Sequence, residues 1–193
     1  MKKALHRRQW TGEANDMKIN WFKSKIFVLL TLIIFLAIIS INIPYKQALV
    51  FLTPENNDIL CYVPINTGEA FKIKYKHSIH LSDVIESYNV TESQRIRQFE
   101  LEYEDFAIGM PSEVADGENF EMKDGKYYIT NMTREFSHFD MRLGQVRANH
   151  TLIYEDITYP LSKAIEPGTR VRIKIEKISL LKQLEGVNIL DDK

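Results

Sequence analysis

The chain has 193 residues, 45% of them hydrophobic and 26% charged, with 25 Lys/Arg against 26 Asp/Glu. That composition excludes a disordered chain and suits one compact domain. The charge is unevenly spread: residues 1–25 carry seven basic side chains against Glu13 and Asp16, and residues from 46 onward carry eighteen against twenty-four acidic ones. An acidic body excludes nucleic acid as a partner, because phosphate binding needs clustered positive charge.

The basic head, 1–25, runs into an uncharged stretch at 26–45, IFVLLTLIIFLAIISINIPY. Its first eighteen residues rise about 27 Å as a helix, close to the roughly 30 Å of a hydrocarbon core. Pro44 ends it by removing a backbone donor. The positive charge lies on the N-terminal side, which predicts a single-pass anchor with a cytoplasmic head and an extracytoplasmic body. Trp21 and Phe22 would mark the inner interface and Tyr45 the outer one. The competing reading is a cleaved signal peptide. It is disfavoured by the length of the run and by Ser40-Ile41-Asn42, a poor cleavage site.

Residues 46–58 read as a linker, ending in the turn-forming Thr53-Pro54-Glu55-Asn56-Asn57-Asp58. Within the body, 59–193, Ile59–Pro64 reads as a short strand. Cys61 is the sole cysteine, which excludes an intrachain disulfide, and it reads as a buried small hydrophobe. Ala70–Lys76 alternates, with Phe71, Ile73 and Tyr75 on one face and Lys72, Lys74 and Lys76 on the other. Val84–Val90 and Arg95–Tyr103 alternate likewise, the latter placing Phe99, Leu101 and Tyr103 against Gln98, Glu100 and Glu102. Further strands are predicted at Tyr127–Asn131, Glu135–Leu143, Thr151–Tyr154, Ile157–Leu161 and Thr169–Ile178. The tail Leu180–Leu190 reads as a short helix or a strand. Short strands with frequent turns predict a mainly β fold, an antiparallel β-sandwich or small barrel, behind one N-terminal transmembrane helix.

The segment richest in candidate chemistry is FKIKYKHSIHLSDVIESYNV, 71–90. A hairpin turning over Ser78–Asp83 would set Tyr75 opposite Glu86 and His77 opposite Val84. His77 and Glu86 would then be diagonal neighbours on one face. A buried carboxylate needs a partner, and His77 is the natural donor. The pair then either fixes register or binds and catalyses. Ser78 has no nucleophile elbow around it. A metal site from His77, His80 and Glu86 lacks a fourth ligand and is a weak signal, and no motif implies a cofactor. His138 and His150 read as surface or interface histidines. Eight acidic residues and no basic one lie between Gln98 and Met122. They read as a solvated face and loop, with a cation site or basic-partner dock as the sharper alternative.

Phe-x-Ile-x-Tyr-x-His-Ser at 71–78, Val-x-Glu-x-Tyr at 84–88, Gly-Met-Pro at 109–111 and Gly-x-x-Val-x-Ile at 168–173 together resemble a bacterial family of unknown function. Its members are membrane-anchored or secreted, and are often encoded beside TAXI-type TRAP transporters or fused to their permeases. The resemblance spans about 59–178. It implies His77, Ser78, Glu86, Gly109 and Pro111 as signature residues, with no assigned catalytic role. It also implies a TRAP-type permease or solute-binding protein as partner. The function it suggests is a membrane-anchored accessory or binding domain. The alternatives are an extracytoplasmic hydrolase-like enzyme using His77 and Glu86, or a structural envelope protein.

Overall fold

The computed structural model describes residues 2–79, 81–104, 114–145 and 148–191, with the backbone alone over 2–20 and at 22. It divides into two compact units, 1–43 and 44–193.

The first unit is one helix, α1, Lys2–Asn42. Its stretch Lys23–Asn42 is long and apolar enough to cross a membrane, with a mean hydropathy of 2.6. The large apolar side chains from Ile26 to Ile43 are exposed, so the run is not a core helix. Its polar interruptions satisfy themselves: Thr31 Oγ1 donates to the Phe27 carbonyl at 2.9 Å and Asn42 Nδ2 to the Ile38 carbonyl at 2.8 Å. Such bonds to the preceding turn satisfy these two side-chain donors within the helix. At the basic end, the Lys25 ammonium lies 3.6 Å from the centroid of the Trp21 ring.

The second unit is built of β1 (Lys46–Leu52), β2 (Ile59–Pro64), β3 (Ala70–Lys76), β4 (Asp83–Val90), β5 (Ile96–Tyr103), β6 (Asn119–Lys123), β7 (Lys126–Phe136), β8 (Phe139–Arg142), β9 (Thr151–Tyr154), β10 (Ile157–Pro160), β11 (Arg170–Ile178) and β12 (Val187–Asn188). A short helix, α2 (Leu180–Glu185), precedes β12, and single 3-10 turns follow β10 and β12. Two sheets form, a five-stranded one ordered β12-β2-β1-β11-β8 and a seven-stranded one ordered β10-β9-β3-β4-β5-β7-β6. All pairings are antiparallel except the two-residue β12–β2 contact. The sheets share one core, in which Leu49, Phe51, Cys61, Val63, Val171 and Ile173 of the first meet Phe71, Ile73, Tyr88 and Leu152 of the second. This is the mainly β sandwich that the alternation predicts.

The tail resolves into both alternatives, a helical turn and a two-residue strand. Ser179 caps α2, its Oγ accepting the Lys182 amide at 3.3 Å. Cys61 is fully buried in β2, and burial pushes its thiol up to about 12, so it packs as an inert hydrophobe.

Three features depart from the sequence expectation. Lys46–Leu52 is not a linker. It is the middle strand of the five-stranded sheet, paired with β11 from Lys46↔Ile178 to Leu52↔Arg172 and with β2 on its other edge. Its apolar run is buried on both faces, with Leu49 and Phe51 in the main core and Ala48, Val50 and Leu52 in a second cluster. A strand of that kind shows no period-two signal. The stretch between α1 and β1 is therefore only Ile43–Tyr45. Second, the chain breaks at Ser137–His138, where β7 leaves the seven-stranded sheet and β8 joins β11 of the other. Third, β5 carries a bulge: Ser87 pairs with Glu100 and Tyr88 with Gln98, so Phe99 is the extra residue. The bulge resets the alternation. Ile96 and Gln98 are buried on one side of it, and Leu101 and Tyr103 on the other.

Phe51 is fully buried in the middle strand of the five-stranded sheet. Phe51→Ala should cost about 3–5 kcal/mol of unfolding free energy, read by chemical denaturation of the full chain in detergent. A loss below about 1 kcal/mol would contradict its place in the core.

Candidate functional site

Glu86 sits on β4 among Val84, Tyr88 and Val90, the core-facing side of the seven-stranded sheet. The register differs by two residues from the expected hairpin: Ile73 pairs with Glu86, and Tyr75 pairs with Val84. Tyr75, rather than His77, is therefore the diagonal neighbour of Glu86. The cause lies on the opposite face and in the turn. Asp83 stands across from Lys76 and bridges both Lys74 (2.6 Å) and Lys76 (3.1 Å), an opposite-charge match that supports this register. His77 falls beyond the end of β3, with its backbone amide donating to the Ser82 carbonyl at 2.8 Å and its own carbonyl accepting from Leu81. Ser78 and Ile79 are exposed in the same turn. His80, Gly109 and Pro111 lie outside the described residues.

The acid accepts hydrogen bonds from two phenols. Tyr88 Oη donates to Oε2 at 2.7 Å and Tyr75 Oη to Oε1 at 3.4 Å. Among the described residues no Lys or Arg pairs with it. Burial pushes the Glu86 carboxyl above the usual carboxylate range, and the two phenol bonds pull part of the way back. The same burial, reinforced by the adjacent Glu86 charge, raises both tyrosines.

Around this carboxylate is a cleft of about 330 Å³, bordered by Tyr75, Glu86, Tyr88, Gln98, His150 and the strand β8. Tyr88 is held between two rings, Phe71 at 5.3 Å and Phe139 at 5.2 Å between centroids, both stacked. Phe136 meets Phe139 edge-on at 6.2 Å across the break between the sheets. His150 stacks on Tyr75 at 5.4 Å, and its Nδ1 accepts the Gly144 amide at 3.2 Å. That bond leaves the proton of the neutral ring on Nε2, and burial lowers the imidazole below its ordinary range. On the rim, Asp140 is bound by Arg170 (2.7 Å) and by Arg172 (2.8 and 3.1 Å). Those bonds, first the one from Arg172, hold its carboxyl below the usual range.

The neighbours of Glu86 are thus Tyr75 and Tyr88 and not the expected His77. His150 is half-buried against Tyr75 instead of lying at the surface, whereas His138 is exposed. Gln98 is 7% exposed and lines the cleft, although its strand pattern places it outward. The Phe99 bulge moves it, and nothing in the residue pattern marks that bulge. Among the described residues no group of three or more His, Cys, Asp or Glu is arranged to hold a metal ion. In the acidic stretch, Glu102 bridges Lys126 at 2.6 Å and Glu118 bridges Arg134 at 3.3 Å. Those two acids are partnered by Lys126 and Arg134 of β7, while Asp105 and Glu113 lie outside the described residues.

A carboxyl raised in the folded state binds its proton more readily there than in the unfolded chain. Its stabilising contribution is complete below the ordinary value of 4.5 and is lost as pH rises through the folded value. The unfolding free energy of the wild type minus that of Glu86→Gln should therefore increase as pH falls from neutral towards 4.5. Both tryptophans, Trp10 and Trp21, lie in α1, so near-ultraviolet circular dichroism of the tyrosines is the suitable probe. A difference that does not change with pH would contradict the burial.

No curated protein and no solved structure matches the chain. A family model matches residues 71–161, a narrower span than the resemblance seen from the motifs, leaving out Gly168, Val171 and Ile173. The matched segment contains nearly all of the seven-stranded sheet, β8 and every residue bordering the cleft. Residues 71–161 match the family model of a domain of unknown function, DUF1850.

Proposed function

We propose that this protein is a membrane-anchored accessory domain that binds a small ligand in the Glu86 cleft on the extracytoplasmic side, working with a TAXI-type TRAP transporter. The observation that carries the binding role is the carboxylate itself: desolvated, held by phenols, without a described cationic partner, and bordering a cleft. Buried charge without a counter-charge is costly, and a cleft with a perturbed titratable group is where ligands bind.

The anchor and its orientation are supported by the apolar stretch Lys23–Asn42 and by the basic residues that precede it. The transporter partnership is supported by the motif resemblance alone. Among the described residues one helix is long and apolar enough to span a membrane, so in this reading a solute would cross through a partner. In this reading Glu86 contacts the ligand and His77 and Ser78 shape the adjoining turn. Gly109 and Pro111 are proposed as signature residues on the strength of the resemblance. The hydrolase-like alternative loses its acid–base pair, because the observed register does not place His77 diagonal to Glu86.

Protease treatment of intact cells stripped to the inner membrane should cleave the body while sparing the head, and tagged full-length protein should copurify with a TRAP-type permease. A protected body would overturn the orientation. An accessible body that brings down no permease would overturn the partnership and leave the anchored binding domain standing.

A further inference from the structure

The cleft around Glu86 has a chemistry specific enough to name the kind of molecule it takes. The inference rests on the binding role proposed above.

Two carboxylates border the cleft, and no Lys or Arg is among its bordering residues. Asp140 is already neutralised by Arg170 and Arg172. Glu86 has only the two phenol donors, one of them at the long distance of 3.4 Å. A carboxylate offers about four lone-pair sites, so Glu86 keeps acceptor capacity beyond those two bonds. The second polar group is Gln98. It is more than nine-tenths buried, borders the cleft, and its side-chain amide makes no hydrogen bond to any described residue. Its polar atoms are not sealed from solvent, so the amide faces the cleft and is open to a ligand's hydrogen bond. The remaining wall is apolar, formed by Phe136, Phe139 and Met141.

An anion finds no Lys or Arg among the bordering residues, and a wholly apolar ligand makes no use of Glu86 or Gln98. The aromatic rings decide between kinds of cation. A quaternary ammonium needs open ring faces. Here Tyr88 stacks with both Phe71 and Phe139, and Tyr75 with His150, so these rings are already engaged. A cation that brings its own N–H bonds uses Glu86 and Gln98 instead of the rings.

We infer that the cleft binds a primary ammonium group carried on a small apolar body. Glu86 accepts its N–H bonds, the Gln98 amide carbonyl takes a further one, and Phe139 and Met141 cover the hydrocarbon part.

The test uses four matched probes on the full chain in detergent: 2-phenylethylamine, 2-phenylethanol, 3-phenylpropionate and trimethyl(2-phenylethyl)ammonium, followed by saturation-transfer NMR and equilibrium dialysis. The amine should bind at least tenfold more tightly than the other three. Glu86→Gln and, separately, Gln98→Leu should each weaken it by about tenfold or more, while Glu185→Gln, at an exposed position, should leave it unchanged. A thermal melt of each variant establishes that it is folded. If the alcohol or the carboxylate binds as well as the amine and is lost on Gln98→Leu, the ammonium assignment is overturned and the binding role stands. Equal binding of the quaternary analogue overturns the requirement for N–H donors. If none of the four binds, the cleft loses the binding role as well.

Discussion

The body depends on the pairing of β1 with β11. Seven consecutive pairs, from Lys46↔Ile178 to Leu52↔Arg172, join the first strand after α1 to the last long strand of the chain. The pairing is long-range, so its loop entropy is paid before any contact of the five-stranded sheet is gained. Burial on both faces compensates. Leu49 and Phe51 turn towards the other sheet, and Ala48, Val50 and Leu52 turn away into a second cluster with Ile59, Tyr62 and Ile178. A strand placed this way cannot be loosened without opening two apolar clusters.

The cleft exists because the two sheets part company at one place. β7 ends at Phe136, the chain crosses at Ser137–His138, and β8 begins at Phe139 on the edge of the other sheet. That edge is fixed by Asp140, which faces Arg172 across the strands and also takes Arg170. Exposed ion pairs contribute little singly, but this one carries three hydrogen bonds from two guanidinium groups and holds Phe139 against Tyr88. The aromatic stack Phe71–Tyr88–Phe139 then positions the Tyr88 hydroxyl on Glu86. The geometry of the acid is set by ring packing from one side and by a surface ion pair from the other.

Much of this was legible in the residues. Apolar, β-branched and aromatic residue types place β4 and β9 within a residue or so. Period-two alternation locates β3 and β11 as closely, because each has one buried and one more open face. It misses β1, whose two buried faces erase the alternation. It also misplaces Gln98, because a bulge at Phe99 shifts the phase without any Gly or Pro to announce it. Glu86 is recognisable as an inward acid from the parity of Val84, Tyr88 and Val90, but its partner is not. Parity fixes the face, whereas register fixes the neighbour, and register here turns on Asp83 matching Lys76 and on a six-residue turn in which Leu81 takes a positive φ of 59°. His150 has no local pattern at all. It arrives beside Tyr75 through the pairing of β9 with β3.

A structural role for Glu86 accounts for only part of its chemistry. Two phenols need two acceptors, and a carboxylate supplies one oxygen to each where an amide would supply a single carbonyl. That explains a two-oxygen group. It does not explain a charged one, since neutral phenols stabilise a carboxylate less than a cation does and burial disfavours the ionised form. Nor does it explain Gln98, buried at the same cleft with no described hydrogen bond of its own. An acid relieved only in part by its protein neighbours and an amide relieved by none are two incomplete groups bordering one space. The proposed ammonium ligand, with its positive charge and N–H donors, would engage the acid and the amide carbonyl together.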